Sequence, residues 1–470
     1  MRQYDYLVMD IGSTYTKQRL FKDRRLVASV QAPTSVEDVY KAISRGRQEL
    51  LGGIDDVTVN ARQVLASCSA AGGLRMVAIG YMAKVTAKAA KEVAMNSGSK
   101  ILEIVSHNDP PEYRIQILRE INPDIILLAG GTDYGDTASL IENARLIVQS
   151  GVSGVVVLAG NVSAQAEAEE ILREGGQPTV RVPNIMPTIH ELRVKEAREV
   201  IHKEFIKQIT RAHGLGAIQQ EITNDKVIPT PGAVLLAAEL LANGTYMEDG
   251  MGDVIVIDLG GATTDVHSII PGLEELENEE IGLVVSNEKQ MSYRTVEGNL
   301  GMRVSVLGVL ETMDPRAILL KRGIEDAKEC EAFVDYCKAV AKEPKRVAAT
   351  DDEYRYDTYL AETAVEVALK RHAGFLSQSA DPVMGIVPGM PIGRDLRNVK
   401  RVIGVGGIFA HRRPDEAKQI IANALKYKGI SLLPSSPQIL LDKDYLLFAC
   451  GVIGEFDREY AFEIMKTALI

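Results

Sequence analysis

Asp10-Ile-Gly-Ser-Thr-Tyr-Thr-Lys17 closes a short apolar run that begins at Tyr6. Its grammar returns at Asp258-Leu-Gly-Gly-Ala-Thr-Thr-Asp265, after the apolar run Val254-Ile-Val-Ile257. Both runs read as buried strands that end in an acid. Glycine follows, then hydroxyl side chains, then the next strand. Alone, the first stretch reads equally well as a hairpin turn that happens to contain Gly, Ser and Thr. A second occurrence in the same chain decides for a pair of phosphate loops. Glycine lets the backbone come close to a phosphate. Ser13, Thr14 and Thr16 in the first loop, and Thr263 and Thr264 in the second, offer hydroxyls beside the turn's N–H groups. Gly12, Gly260 and Gly261 open the backbone for them, and Lys17 brings a positive charge. A carboxylate so near phosphate needs a cation between them. Asp10 is therefore expected to serve Mg²⁺ through waters. Asp258 is expected to orient an attacking water or hold the metal's water shell, with Asp265 as a further metal-side acid.

A third glycine turn, Gly404-Val-Gly-Gly-Ile-Phe-Ala410, follows the strand pattern Val402–Val405. Gly404, Gly406 and Gly407 would let a base or ribose lie on bare backbone. Two phosphate loops and one adenosine loop, in that order, predict ATP or ADP with Mg²⁺ in a cleft between two lobes.

Outward from these motifs the pattern changes twice. Residues 1–100 read as a first lobe with a strand meander, and 101–185 as strand–helix alternation, hence a flavodoxin-like parallel α/β insert. Residues 186–250 read as a helical return to the first lobe, and 251–470 as the second lobe.

The order of the three motifs resembles that of the actin/Hsp70/hexokinase-type ATPases, a ribonuclease H-like fold in duplicate. Three flanking stretches narrow the resemblance: Ser67-Cys-Ser-Ala-Ala-Gly-Gly-Leu-Arg-Met76, Leu127-Leu-Ala-Gly-Gly-Thr-Asp-Tyr-Gly-Asp136 and Val296-Glu-Gly-Asn-Leu-Gly-Met-Arg303. They look like the MutL/GlmL family, the accessory proteins associated with adenosylcobalamin-dependent glutamate mutase and related aminomutases. The mismatch-repair protein of the same name is unrelated. The resemblance implies a chaperone-like reactivating factor: a slow ATPase that makes a mutase release damaged cobalamin. Asn299 departs from the Asp of many relatives, which removes the basis for a metal or catalytic role there. Cobalamin is expected on the partner rather than on this chain. The base-off signature D-x-H-x-x-G is met only as far as Asp265-Val-His267, since Ile270 stands where glycine is required.

Other readings of the same fold are a small-molecule kinase, a hydantoinase-like hydrolase and a non-catalytic nucleotide-binding scaffold. Asp133, Asp136 and Glu297 read either as acids of a site or as caps and solvated loop acids. His190, His202, His213, His372 and His411 lack metal spacing, and Arg412 and Arg413 could contact phosphate or ribose but read first as a solvated basic turn.

Bulk numbers bound the rest. The chain has 470 residues, 46% hydrophobic and 25% charged, with a net charge of −11. That charge disfavours a nucleic-acid partner, which needs clustered Lys and Arg. The apolar runs Ile125–Ala129 and Val155–Ala159 fall far short of the roughly 20 residues that span a bilayer, so no membrane role is expected. The first residues run into a strand without a signal-peptide pattern. Cys68, Cys330, Cys337 and Cys450 have no metal spacing and read as reduced thiols. A cytoplasmic setting follows, and the sequence leaves room for a homodimer.

Overall fold

The computed structural model describes residues 3–12, 15–34, 39–50, 61–68, 74–82, 89–90, 93, 99–188, 193–212, 222, 227–270, 291–380 and 387–469. Two compact units divide the chain, Met1–Gly232 and Ala233–Ile470.

The first unit opens with β1 (Tyr4–Ile11), β2 (Tyr15–Lys22) and β3 (Arg25–Pro33), an antiparallel meander. β1 is flanked on its other side by β4 (Ala61–Cys68) and then by β10 (Val227–Pro229), both parallel to their neighbours. The strand order is β10-β4-β1-β2-β3. The helix Val39–Leu50 lies against the meander, where Gln18 Nε2 donates to the Ile43 carbonyl at 2.8 Å. A Cβ at Gly46 would stand 2.5 Å from the same Gln18 nitrogen, so any larger residue would displace that side chain.

A second sheet in this unit is parallel throughout: β5 (Leu74–Gly80), β6 (Ser99–Ser106), β7 (Ile125–Leu128), β8 (Val155–Leu158) and β9 (Thr179–Arg181). Its spatial order, β6-β5-β7-β8-β9, is the 2-1-3-4-5 order of flavodoxin-like sheets. Burial on both faces explains the unbroken apolar strands. Met76, Ala78, Ile125, Leu127 and Val157 enter one core, which also holds Met9, Ile11 and Ala66. Val77, Ile79, Ile126, Leu128, Val156 and Leu158 enter the other, under the helices Pro111–Ile121, Ala138–Ser150 and Val162–Glu174. The parallel sheet thus takes its first strand from residues 74–80, ahead of the alternation visible from residue 101. Periodicity marks a buried strand but does not say which sheet it joins.

The second unit repeats the first sheet. β11 (Val254–Leu259), β12 (Thr264–Ile270) and β13 (Met291–Glu297) form an antiparallel meander. β16 (Arg401–Val405) and β17 (Gln438–Leu441) extend it in parallel on the far side of β11. The order β13-β12-β11-β16-β17 matches β3-β2-β1-β4-β10 strand for strand. The fold is therefore the duplicated, ribonuclease H-like arrangement of the actin/Hsp70-type ATPases, with a parallel α/β sheet carried by the first unit. A short ribbon of β14 (Phe375–Leu376) and β15 (Pro391–Ile392) completes the strands.

Helices Ala327–Lys342, Asp351–His372 and Pro414–Lys426 cover one face of the second unit's sheet. Ile255, Ile257, Leu259 and Val266 meet Phe333, Leu360, Val365 and Ile421 there. Asp351–His372 starts with the Thr350 hydroxyl accepting from Glu353 N–H, three acids in its first turn and three basic residues in its last. That arrangement satisfies the helix ends and opposes the helix dipole. All four cysteines are free thiols. Among the described residues, no helix is long and apolar enough to cross a membrane.

Candidate functional site

The two acid–glycine loops share a strand register and a closing hydrogen bond. In the first, Asp10 on β1 faces Lys17 on β2. In the second, Asp258 on β11 faces Asp265 on β12. Gly12 N–H donates to the Tyr15 carbonyl at 3.1 Å, and Gly260 N–H to the Thr263 carbonyl at 2.9 Å. A Cβ on Gly12 would meet that Tyr15 oxygen at 2.5 Å, so the first turn closes only on glycine. Ser13 and Thr14 lie outside the described residues.

Asp10 is buried at 2% exposure, at the carboxyl end of β1. Its Oδ2 accepts from Lys17 Nζ at 3.1 Å. Its Oδ1 accepts from Ser67 Oγ at 3.1 Å and from Thr230 Oγ1 at 2.6 Å. Oxygen donors of this kind suit Mg²⁺, which gives up its waters reluctantly and rarely takes an all-protein cage. Among the described residues no three of His, Cys, Asp and Glu cluster to form such a cage. The Asp10 carboxylate, fixed at the strand end by side-chain donors, fits a metal contacted through its waters. Thr16 is buried and shares a 3.0 Å hydrogen bond with Thr34, so its hydroxyl is engaged in the β2–β3 ribbon.

In the second loop Asp258 is half-buried at the end of β11, beside Val405 of β16. Asp265 is buried, and its carboxylate is engaged. Arg294 on β13 donates from Nε at 2.9 Å and from Nη2 at 2.5 Å, both to Oδ1, and Thr263 Oγ1 donates to Oδ2 at 3.1 Å. Thr264 donates to the Leu300 carbonyl. Thr263 and Thr264 thus hold the loop's shape with their hydroxyls, and the expectation that they reach phosphate with them finds both in use.

The stretch Val296–Arg303 supports this loop. Met302 N–H donates to the Gly260 carbonyl at 3.0 Å, and the N–H groups of Arg303 and Val304 donate to the Gly261 carbonyl, each at 2.8 Å. A Cβ on Gly301 would stand 2.4 Å from the Ala262 carbonyl carbon, which explains the glycine. Arg303 is held in turn by Asp357, at 3.0 and 2.8 Å, and Tyr336 OH donates to the same carboxylate at 2.9 Å. Glu297 pairs with Arg371, and Asn299 lies 3.5 Å from Thr312 Oγ1 through its amide nitrogen.

The third glycine turn lies against the second loop. Gly406 has φ +121°, and a Cβ there would meet the Leu259 carbonyl at 2.2 Å. Gly404 closes on Phe409 and Ile421, and Gly407 begins the short helix Gly407–His411 near Tyr445. Arg412 is buried against the Tyr354 ring and donates to the Tyr354 carbonyl, so it is a packed side chain and not part of a solvated turn. Arg413 is exposed and pairs with Glu416.

Past the carboxyl end of β7, the central strand of the parallel sheet, Asp133 and Asp136 serve the loop they belong to. Asp136 accepts from the Ser139 N–H at the start of the helix Ala138–Ser150. Asp133 accepts from Val162 N–H at 3.1 Å and Asn184 Nδ2 at 2.9 Å. Asn161 binds Tyr134 N–H, the Gly135 carbonyl and the Asp136 carbonyl, and so completes the turn.

His372 is a core histidine between Thr295 and Ser268, at 2.8 and 2.7 Å. His190 and His213 lie outside the described residues. Ser67, Thr230, Arg294 and Arg303 were not singled out by sequence for the site. Ser67 and Arg303 lie inside quoted motifs, and Thr230 has a local signal in the Pro-Thr-Pro at 229–231.

The sequence model of the family described as MutL protein matches residues 6–469. The Protein MutL of Clostridium tetanomorphum is 37% identical over 474 residues, covering 99% of either chain. Among solved structures, nucleotide-free acetone carboxylase is similar at a TM-score of 0.42 and 11% identity, over 96% of this chain and 70% of that one. Component A of (R)-2-hydroxyglutaryl-CoA dehydratase from Acidaminococcus fermentans is similar at 0.31 and 10%, over 99% and 100%. A glycerol dehydratase reactivase is similar at 0.28 and 10%, over 94% and 99%.

Proposed function

The chain belongs to the MutL protein family, and we propose that it is a slow, Mg²⁺-dependent ATPase that reactivates an adenosylcobalamin-dependent mutase. The observation that carries the nucleotide reading is the duplicated turn: Asp10 with Gly12 bonded to Tyr15, and Asp258 with Gly260 bonded to Thr263, at the same place in two sheets of the same order. Two turns built alike, each with an acid at the strand end, suit a triphosphate held by backbone N–H groups.

In this reading Asp10 faces the metal's waters, and Lys17 exchanges its contact with Asp10 for a phosphate oxygen. Ser13 and Thr14 add hydroxyl donors to the backbone of the first loop. Gly260 and Gly261 supply backbone to the phosphates, with Thr263, Thr264 and Asp265 holding that loop's shape. Asp258, half-buried at the end of β11, orients the attacking water. Gly404, Gly406 and Gly407 take the nucleoside. Mg²⁺, when bound, neutralises charge on the phosphate oxygens.

The client is proposed from the family resemblance: glutamate mutase or a related aminomutase, whose bound cobalamin is the cargo. Shifting such an enzyme from mostly closed to mostly open needs about 5.5 kcal/mol of differential binding. ATP and ADP must therefore favour different states of the chain. The test is cofactor exchange. Glutamate mutase is inactivated with cyanocobalamin, then mixed with this protein, ATP, Mg²⁺ and fresh adenosylcobalamin. Recovery that needs both protein and ATP supports the reading. No recovery with any candidate aminomutase sinks the mutase assignment, and calorimetric ATP binding then decides the nucleotide assignment separately.

A further inference from the structure

Three parallel strands end together around Asp10. β1, β4 and β10 are in register there, with Asp10 opposite Ser67 and Ser67 opposite Ile228. Thr230, two residues beyond Ile228, is the first residue of the helix Thr230–Asn243. Pro229 and Pro231 flank it. Each ring fixes its own φ, and proline fits the first helical turn, so the Thr230 backbone has little freedom. The two hydroxyls arrive from sequence separations of 57 and 220 residues, and both donate to one oxygen, Oδ1.

A carboxylate offers about four acceptor sites, two on each oxygen. Ser67 and Thr230 occupy both on Oδ1, and Lys17 takes one on Oδ2. The group is 2% exposed, so bulk water is a poor substitute for a missing donor. We propose that Ser67 and Thr230 are positioning residues that lock the Asp10 carboxylate, so that Oδ2 alone is presented to the metal's hydration shell. Neither touches nucleotide; each acts through Asp10. The inference rests on the reading that Asp10 serves a Mg²⁺–nucleotide, and it adds the residues that aim that acid. Hydrogen-bonding capacity is what matters at position 230, so serine should serve where isosteric valine does not.

The test measures ATP binding calorimetrically across a Mg²⁺ series, on the full chain, beside the melting temperature without ligand. The variants are Thr230→Val, Thr230→Ser, Ser67→Ala and Asp10→Asn. Thr230→Val and Ser67→Ala should each raise the Mg²⁺ concentration for half-maximal ATP binding by about tenfold, the scale of one hydrogen bond to a charged group. Thr230→Ser should restore the wild-type Mg²⁺ dependence. ATP binding in EDTA should be the same in all of them, which a merely structural role would not predict. Should Thr230→Val lower the unliganded melting temperature, Ser67→Ala decides, since it leaves the helix start intact. Wild-type Mg²⁺ dependence in Ser67→Ala and Thr230→Val, with Asp10→Asn impaired, overturns the positioning role alone. Unchanged Mg²⁺ dependence in Asp10→Asn overturns the reading of Asp10 itself.

Discussion

Lys17 Nζ stands 3.1 Å from Asp10 Oδ2, directly across the β1–β2 pair. The equivalent place in the second sheet, opposite Asp258, holds an acid, Asp265. The duplicated loops therefore share a shape and differ in charge. The second copy needs its own counterion, and Arg294 supplies it from β13.

Lys17→Met should weaken ATP binding by about tenfold, the loss of one charge-assisted contact of roughly 1.4 kcal/mol. Asp10 keeps its two hydroxyl donors but loses its counterion while buried, so the unliganded melting temperature should fall as well, and affinities are compared at a temperature where both proteins are folded. Calorimetric titration with ATP and Mg²⁺ checks this. Equal affinity would remove Lys17 from the phosphates.

Asp258→Asn separates binding from turnover. Asparagine keeps the size of the side chain and loses its basicity. Phosphate release should fall by about a hundredfold or more, in the range expected for a lost general base, with ATP affinity within a few-fold of wild type. Turnover at the wild-type rate would show that Asp258 does not activate the water.

Arg294→Leu strips the counterion from a buried carboxylate, with side-chain exposures of 8% for Arg294 and 6% for Asp265. Breaking such a pair from one side costs about 3–5 kcal/mol. Urea unfolding of Arg294→Leu should show this loss. The double variant Asp265→Leu with Arg294→Leu should recover much of it, because no unpaired charge remains. If the single variant is as stable as wild type, the pair does not hold the second loop.

Acid should destabilise the second unit through two histidines. His267 and His372 are fully buried, and burial is the main reason both titrate well below the usual 6.5. Arg294 adds repulsion at His267; Arg394 and then His267 add it at His372. In the unfolded chain both bind protons near their ordinary value. Their contribution to stability is therefore complete above about pH 6.5 and is lost as pH falls toward the depressed folded values. The slope approaches about 1.4 kcal/mol per pH unit for each histidine. Denaturant midpoints between pH 7.5 and 5.5 test the sign: a flat profile would place water or a proton acceptor beside these rings.

Loops and strands were legible because their signal is local. A run such as Val254-Ile-Val-Ile257 ending in Asp258 and two glycines announces strand, acid and turn within eight residues. The partners of these acids were not legible. Thr230 reaches Asp10 across 220 residues, and Arg294 reaches Asp265 across 29 with the stretch 271–290 between, so no periodicity links them. Asp136 was open in sequence, where a glycine-rich turn ending in an acid reads either as a ligand site or as a helix cap; its carboxylate accepts from Ser139 N–H at the start of the next helix. The assignment of Leu74–Gly80 to the parallel sheet was hidden for the same reason as Thr230: sheet membership is a non-local property.

The helix Asp351–His372 is gripped twice. Near its start Asp357 holds Arg303, whose backbone supports the second acid–glycine loop; at its end Arg371 and His372 hold Glu297, Thr295 and Ser268 on β12 and β13. Its 22 residues span about 33 Å at 1.5 Å each. The helix thus ties the loop's support at Arg303 to β12 and β13 by side-chain bonds as well as by chain connectivity, so a displacement of Gly260 and Gly261 bears on both strands and on the helix between the two grips.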